Sequence, residues 1–193
     1  MNTHLREVQG AFDAGFVLDK HTIRSIPLGP NEQGHMQFNT LRTEVGEALY
    51  QLKYRHDHSQ ALALAKTLYN TVGPRLPVVI DIIIPMPPST VRAVQPVSVV
   101  VAQLAQLMRA PVLDLVRRQP GGRKLKDLHT REEKDAELSG KFSLHGAVSG
   151  PGSYNVLLVD DLYDSGATAD AVTTVLRNDP KIKGVYYVAL TWK

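Results

Sequence analysis

Two adjacent acids followed by a short turn with a glycine form the clearest chemical pattern in this chain. Residues 156–168 read Val-Leu-Leu-Val-Asp-Asp-Leu-Tyr-Asp-Ser-Gly-Ala-Thr, so four apolar residues lead into Asp160 and Asp161. The apolar run predicts a buried strand, and the segment from Asp164 onward predicts a tight turn at the start of a helix. Such a turn can hold a phosphate group, because its N–H groups and the helix dipole both favour negative charge.

The residues of this turn are of types that suit a sugar-phosphate site. Ser165 and Thr168 supply hydroxyl donors, Ala167 supplies a backbone N–H, and Gly166 lets the backbone come close to a ligand. An ordinary strand, turn and helix without a ligand is the alternative interpretation, since many strands end in solvated acids.

The paired acids have a separate use at the same site. Asp160 and Asp161 are placed to accept hydrogen bonds from ribose hydroxyls, or to hold Mg²⁺ directly or through water. The motif therefore predicts a site that binds both the sugar and the phosphate of one ligand.

The composition of the 193 residues indicates an ordinary globular chain with a single main domain, 43% hydrophobic and 21% charged. A net charge of +3 permits contact with phosphates or nucleic acid without requiring it. The lack of cysteine excludes disulfides, zinc ribbons and thiol nucleophiles. The first residues contain no apolar signal core, and the apolar runs at 78–84 and 97–101 are too short to span a bilayer. We therefore expect a cytoplasmic protein with no membrane partner.

Strand and helix patterns alternate along most of the chain, which predicts an α/β fold with a mostly parallel open sheet flanked by helices. Residues 1–40 predict a small N-terminal flap resembling a β-hairpin, and residues 41–193 predict the main domain. Expected helices cover residues 41–54, 60–72, 96–109 and 167–177, and expected strands cover 16–18, 22–26, 78–84, 112–116, 142–144, 156–159 and 185–190.

The segment at 156–168 resembles the ribose-phosphate motif of the type I phosphoribosyltransferases, and residues 44–193 resemble the ComF family of phosphoribosyltransferase-like proteins, found with DNA-uptake systems. Three more segments carry the second resemblance: Leu-Tyr-Gln-Leu-Lys-Tyr-Arg at 49–55, Ile-Pro-Met-Pro at 84–87, and the segment 125–142.

Two features depart from the ComF pattern. The chain lacks the cysteines of the zinc module with which many family members begin. Its segment Arg92-Ala-Val-Gln-Pro also differs from the Arg-Gly-Phe-Asn-Gln of the family. These differences leave the partner contacts of that segment open, and they do not affect the phosphate motif.

The resemblance implies a type I phosphoribosyltransferase fold that binds phosphoribosyl pyrophosphate, or a related sugar phosphate, with Mg²⁺. It also implies that the segment after Pro85 is the pyrophosphate loop. Pro87, Ser89 and Thr90 would belong to that loop, with Arg92 as a charged fork for the pyrophosphate. A rigid proline-rich turn with a solvated arginine is the alternative.

Residues 117–134 predict a long basic loop, in which Lys124, Lys126 and Arg131 are the residues of interest. The resemblance to phosphoribosyltransferases implies a lid that closes over the reaction. The resemblance to ComF proteins implies instead a contact with the phosphates of single-stranded DNA. A solvated loop without a ligand is the third interpretation.

The implied activity is transfer of a phosphoribosyl group to an unidentified acceptor. Asp160 and Asp161 would orient the ribose and the metal, and Asp164 would act as a base toward the acceptor or cap the helix. A non-catalytic ComF-like protein that binds single-stranded DNA or a DNA-processing partner is the alternative function. A regulatory sensor of phosphoribosyl pyrophosphate is another, and a homodimer is also open.

Overall fold

The computed structural model describes residues 1–90, 92–123 and 125–193, without the side chain of Lys126. Lys124 and the Lys126 side chain, both expected in the basic loop, thus lie outside the described part. The strands are β1 (Arg6–Val8), β2 (Ala14–Lys20), β3 (Thr22–Pro30), β4 (Met36–Arg42), β5 (Ile82–Pro85), β6 (Val116–Arg118), β7 (Phe142–Leu144), β8 (Tyr154–Tyr163) and β9 (Ile182–Trp192). The α-helices are α1 (Glu44–Tyr54), α2 (Gln60–Val72), α3 (Pro96–Met108), α4 (Arg131–Leu138) and α5 (Ala167–Leu176).

A five-stranded sheet in the order β1-β2-β9-β8-β5 organises the described residues. The strands β2, β9, β8 and β5 are parallel, and β1 pairs antiparallel with β2 at one edge. This arrangement confirms the predicted α/β class with a mostly parallel sheet. No described helix has both the length and the apolar content needed to cross a membrane.

Both faces of the sheet are buried, which explains the unbroken apolar run before the acids. Leu157 and Val159 pack on one face with side chains of α1, α2 and α3. Val156 and Leu158 pack on the other face with side chains of α5. A strand covered on both faces needs apolar residues at consecutive positions rather than at alternate ones.

Helix α1 is held against the sheet beside the site by its first turn. The hydroxyl of Thr43 accepts a hydrogen bond from the N–H of Gly46 at 3.0 Å and donates one to the carbonyl of Lys20 at 2.6 Å. A side chain at Gly46 would collide with the carbonyl oxygen of His21. Glycine therefore allows α1 to approach the junction between β2 and β3.

The expected strand at 78–84 is shorter than predicted and is not central, because β5 is the last strand of the named sheet. The Asp81 carboxylate accepts the N–H of Asn155 at 2.8 Å, a donor that a longer strand would have used. Beyond β5, Val112 makes a single parallel bridge with Ile83. Pro85, two residues beyond Ile83, has no N–H to extend this pairing, so the expected strand at 112–116 is reduced to that bridge and to Val116, the first residue of β6.

The expected flap is narrower than residues 1–40, because β1 and β2 belong to the central sheet. Phe16, Val17 and Leu18 of β2 are buried, and β2 pairs in parallel with β9. Within this first segment, β3 and β4 form a separate two-stranded hairpin that extends to Arg42. The apolar side chains of β2 favour a position in the central sheet, because a flap exposed to solvent could not bury them.

Candidate functional site

The loops that follow β5 and β8 lie at the same edge of the sheet. Residues 82–85 of β5 pair in parallel with residues 156–159 of β8. The N–H of Met86 then donates to the carbonyl of Val159 at 2.7 Å, so pairing continues to the residue before Asp160. In open α/β sheets, ligands bind at this carboxyl edge.

The loop after β5 places the predicted pyrophosphate residues next to this edge. Pro87 is buried, Ser89 and Thr90 are exposed, and Arg92 is half-buried. The side-chain amide of Gln95 donates to the carbonyl of Thr90 at 3.2 Å and ties the loop to the start of α3. The loop thus has two exposed hydroxyl groups close to the end of β8.

Asp160 occupies a confined position inside β8, because this strand continues to Tyr163 and is longer than the expected strand at 156–159. Its carboxylate accepts the N–H of Asp161 at 2.7 Å and the hydroxyl of Tyr187 at 3.1 Å. Tyr187 is buried and stacks on Phe12 with ring centroids 5.0 Å apart. Burial and the neighbouring charge of Asp161 raise the pKa of Asp160 to about 7. Burial and the charge of Asp160 also raise the pKa of Tyr187, which keeps its hydroxyl protonated as a donor.

Asp161 faces a different partner, the ammonium group of Lys53 on α1. The Nζ atom of Lys53 lies 2.6 Å from Oδ2 of Asp161, and the two side chains are 14% and 23% exposed. The Thr191 hydroxyl donates to the Asp161 carbonyl at 2.9 Å, and the His21 ring lies 3.2 Å from that hydroxyl. Burial and the charge of Lys53 lower the pKa of His21. The two acids therefore sit in distinct environments.

The turn after the acids has the geometry that its glycine predicted. Gly166 immediately precedes α5 and has a φ of 79°, in the left-handed region that other residues avoid. A Cβ atom there would lie 2.9 Å from the hydroxyl of Tyr163. Ser165 and Thr168 on either side are half-buried, and Ala167 is buried.

Asp164, at the beginning of the turn, is paired with two lysines. Lys134 on α4 donates to its carboxylate at 2.8 Å, and the Nζ atom of Lys193 lies 3.4 Å away. Partial burial raises the pKa of Asp164, but the hydrogen bond from Lys134 and the charge of Lys193 outweigh it, so the pKa lies below its ordinary value. Asp164 is therefore ionised and a weak proton acceptor.

Arg131, expected in a lid or a DNA-binding loop, is hydrogen-bonded to the turn before α5. Its guanidinium donates to the carbonyl of Ser165 and to the carboxylate of Asp170, each at 2.6 Å, and it also pairs with Asp135. Helix α4, which begins at Arg131, replaces part of the expected loop. The spacing of Thr130 and Glu133, which form a capping box, was the signal that could have predicted this helix.

The acids at this edge could hold Mg²⁺ only if a bound phosphate supplied further oxygen ligands to the ion. The described residues contain no cluster of three metal-binding side chains. Burial, and after it the charge of Asp161, raises the pKa of Asp160, and a cation beside the two acids would favour its ionised form. Asp161 already has the ammonium of Lys53, so Asp160 is the better placed of the two acids.

Three residues of this site were not predicted as site residues. Lys53 belongs to the Leu-Lys-Tyr run of the resemblance, and that position was its only signal. Tyr187 packs in the core, and its hydroxyl also binds Asp160. Lys134 lies in the stretch expected to be a loop, and its pairing with Asp164 depends on α4.

No family model matches the chain, and no curated protein matches it. Solved structures that it resembles include adenine phosphoribosyltransferase from Saccharomyces cerevisiae, with 16% identity, 88% of this chain and 84% of that chain covered, and a TM-score of 0.47. Hypoxanthine phosphoribosyltransferase from Staphylococcus aureus has 12% identity, with 70% of this chain covered and a TM-score of 0.44. The match spans 65% of the Staphylococcus aureus chain, which is just under two thirds.

Proposed function

We propose that this chain is a phosphoribosyltransferase-like protein that binds phosphoribosyl pyrophosphate and transfers its phosphoribosyl group to an acceptor. One observation carries the proposal. Asp160 and Asp161 lie in the last part of β8, just beyond its pairing with β5, and Gly166 makes a left-handed turn directly before α5. Acids suited to a sugar and a turn suited to a phosphate are thus a few residues apart, at the edge where open α/β sheets bind ligands.

The protein's part in this reaction is to position the donor and to stabilise charge. The N–H groups of residues 165–168 would bind the 5′-phosphate at the start of α5. Asp160 and Asp161 would accept hydrogen bonds from the ribose hydroxyls. When pyrophosphate leaves, positive charge develops on the ribose ring, and the two nearby carboxylates favour it electrostatically.

The loop after β5 would bind the pyrophosphate. Ser89 and Thr90 offer exposed hydroxyl groups, and Arg92 adds a guanidinium that can bind two phosphate oxygens. Mg²⁺, when bound, would neutralise part of the pyrophosphate charge. Asp160 would hold it, because a carboxylate oxygen is a usual ligand of this ion. This assignment follows from the parallel pairing that brings the two loops to one edge.

Asp164 fits an electrostatic role better than the role of a base. The ammonium groups of Lys134 and Lys193 stabilise its ionised form, which makes proton capture unfavourable. The acceptor would therefore have to lose its proton to another group or to water.

Calorimetry with phosphoribosyl pyrophosphate and Mg²⁺ tests binding, and a pyrophosphate-release assay with mixed nucleobases then tests transfer. Gly166→Val should abolish binding, because the side chain blocks close approach of the phosphate and strains a φ of 79°. Gly146→Val is the matched control, since Gly146 has a φ of 100° with open space around its Cβ position. Equal affinity in the two variants would contradict the site. Binding without pyrophosphate release would favour a sensor over a transferase.

A further inference from the structure

Helix α4 is fixed to the phosphate turn, which gives its next inward-facing residue a defined position. Arg131 donates to the carbonyl of Ser165 at 2.6 Å and to Asp170 on α5 at the same distance. One turn further along α4, Lys134 is buried, with a side chain that is only 11% exposed. Its ammonium group reaches Asp164, the residue directly before the turn.

The charges at this point favour a further anion. Asp164 carries one negative charge, and Lys134 and Lys193 carry two positive charges within 3.4 Å of its carboxylate. The N–H groups at the start of α5 add to the positive potential. A phosphate monoester carries between 1.5 and 2 negative charges at about pH 7, so it attracts an ammonium group more strongly than one carboxylate does.

We propose that Lys134, assisted by Lys193, is a phosphate-binding residue of this turn, and that Asp164 takes the place of the ligand's anion while the site is free. The inference rests on the proposed function, since it adds residues to the same site. The ligand class is a sugar phosphate with a dianionic monoester. In the free protein, the buried ammonium of Lys134 pairs with Asp164. In the complex, it donates a hydrogen bond to the phosphate, either together with Asp164 or in place of it.

The sign of the effect of Asp164→Asn separates this inference from a purely structural ion pair. The substitution removes an anion that repels phosphate and competes for both lysines. Affinity for ribose 5-phosphate should therefore rise, by about threefold. If the pair only maintained the shape of the turn, the same substitution would lower affinity instead.

Calorimetry with ribose 5-phosphate, and with ribose as the probe that lacks phosphate, provides the test. Lys134→Met should weaken ribose 5-phosphate binding by about tenfold or more, because a charge-assisted hydrogen bond is lost. Lys134→Arg should restore most of the affinity. The control is Lys141→Met, whose ammonium lies 3.8 Å from Glu137 and not at Asp164, and which should bind as the wild type does.

The double variant Lys134→Met with Asp164→Asn should bind more weakly than Asp164→Asn alone, because the ammonium that Asp164→Asn frees for the phosphate is missing. A loss of affinity in Asp164→Asn, or unchanged affinity in Lys134→Met, would overturn the inference. Should Lys134→Met fail to fold, the sign measured for Asp164→Asn still decides. If the wild type does not bind ribose 5-phosphate, or binds it as well after Gly166→Val, the proposed function fails as well.

Discussion

The ammonium of Lys53 lies 2.6 Å from the carboxylate of Asp161 and joins α1 to the end of β8. This ion pair puts a positive charge from the first half of the chain beside the second acid of the motif. It also gives the two neighbouring acids different partners, since Asp160 binds the hydroxyl of Tyr187. The packing of α1 and β9 against β8 therefore gives Asp160 and Asp161 different roles.

Lys53→Met should lower the free energy of unfolding by about 2 kcal/mol, because it leaves a largely buried carboxylate without its cation. Urea denaturation at neutral pH measures the change. Lys66→Met is the control, since Lys66 is an exposed lysine on α2. Adding Asp161→Asn to Lys53→Met should recover part of the loss. No recovery would mean that packing of the lysine stem, rather than its charge, is responsible.

Asp160 should make stability depend on pH in a defined direction. Its pKa is about 7 in the folded protein and about 4 in an unfolded chain, so folding favours the protonated acid. The contribution to stability is complete below about pH 4 and is lost as the pH rises through about 7. Relative to the wild type, Asp160→Asn should gain about 4 kcal/mol between pH 4 and pH 8, since each pKa unit corresponds to about 1.4 kcal/mol. Denaturant titrations without Mg²⁺ check this, and parallel pH curves would contradict it.

Replacing both acids should separate sugar binding from phosphate binding. Asp160→Asn with Asp161→Asn should weaken Mg²⁺-dependent binding of phosphoribosyl pyrophosphate at least about tenfold more than binding of inorganic phosphate. The carboxylates serve the ribose and the metal, whereas the turn serves the phosphate. Calorimetry with both ligands is the measurement. Asp114→Asn with Asp127→Asn, two exposed acids elsewhere, is the control. Equal losses for both ligands would show that the roles are wrongly divided.

Arg131→Met distinguishes a support for the turn from a contact with DNA. The guanidinium binds Ser165 and Asp170, so its loss should weaken ribose 5-phosphate binding. The salt dependence of any binding to oligo(dT) should stay the same. Loss of one phosphate contact would instead change the slope of log affinity against log salt concentration by about 0.7. Anisotropy titrations at several salt concentrations measure this slope, and Arg24→Met, an exposed arginine of β3 outside the basic loop, is the control. A flatter slope in Arg131→Met alone would favour the DNA-binding alternative.

The sequence by itself predicted the strand, turn and helix at residues 156–168, and the mostly parallel sheet around them. Both follow from local rules. Consecutive apolar residues predict a buried strand, and small polar residues with a glycine before a helical pattern predict a tight turn. The shared edge of the loops after β5 and β8 was also predictable, because parallel strands end on the same side.

Only the tertiary structure decided which charges face the predicted acids. Lys53 reaches Asp161, Tyr187 reaches Asp160, and Lys134 reaches Asp164 from elements far away in the chain. No local period encodes such pairs, because they depend on how α1, β9 and α4 pack around β8. The same cause decided that β2 enters the sheet while β3 and β4 remain a hairpin. Long-range packing selects the partner of each strand and each charge, whereas the residues along one segment specify only its local form.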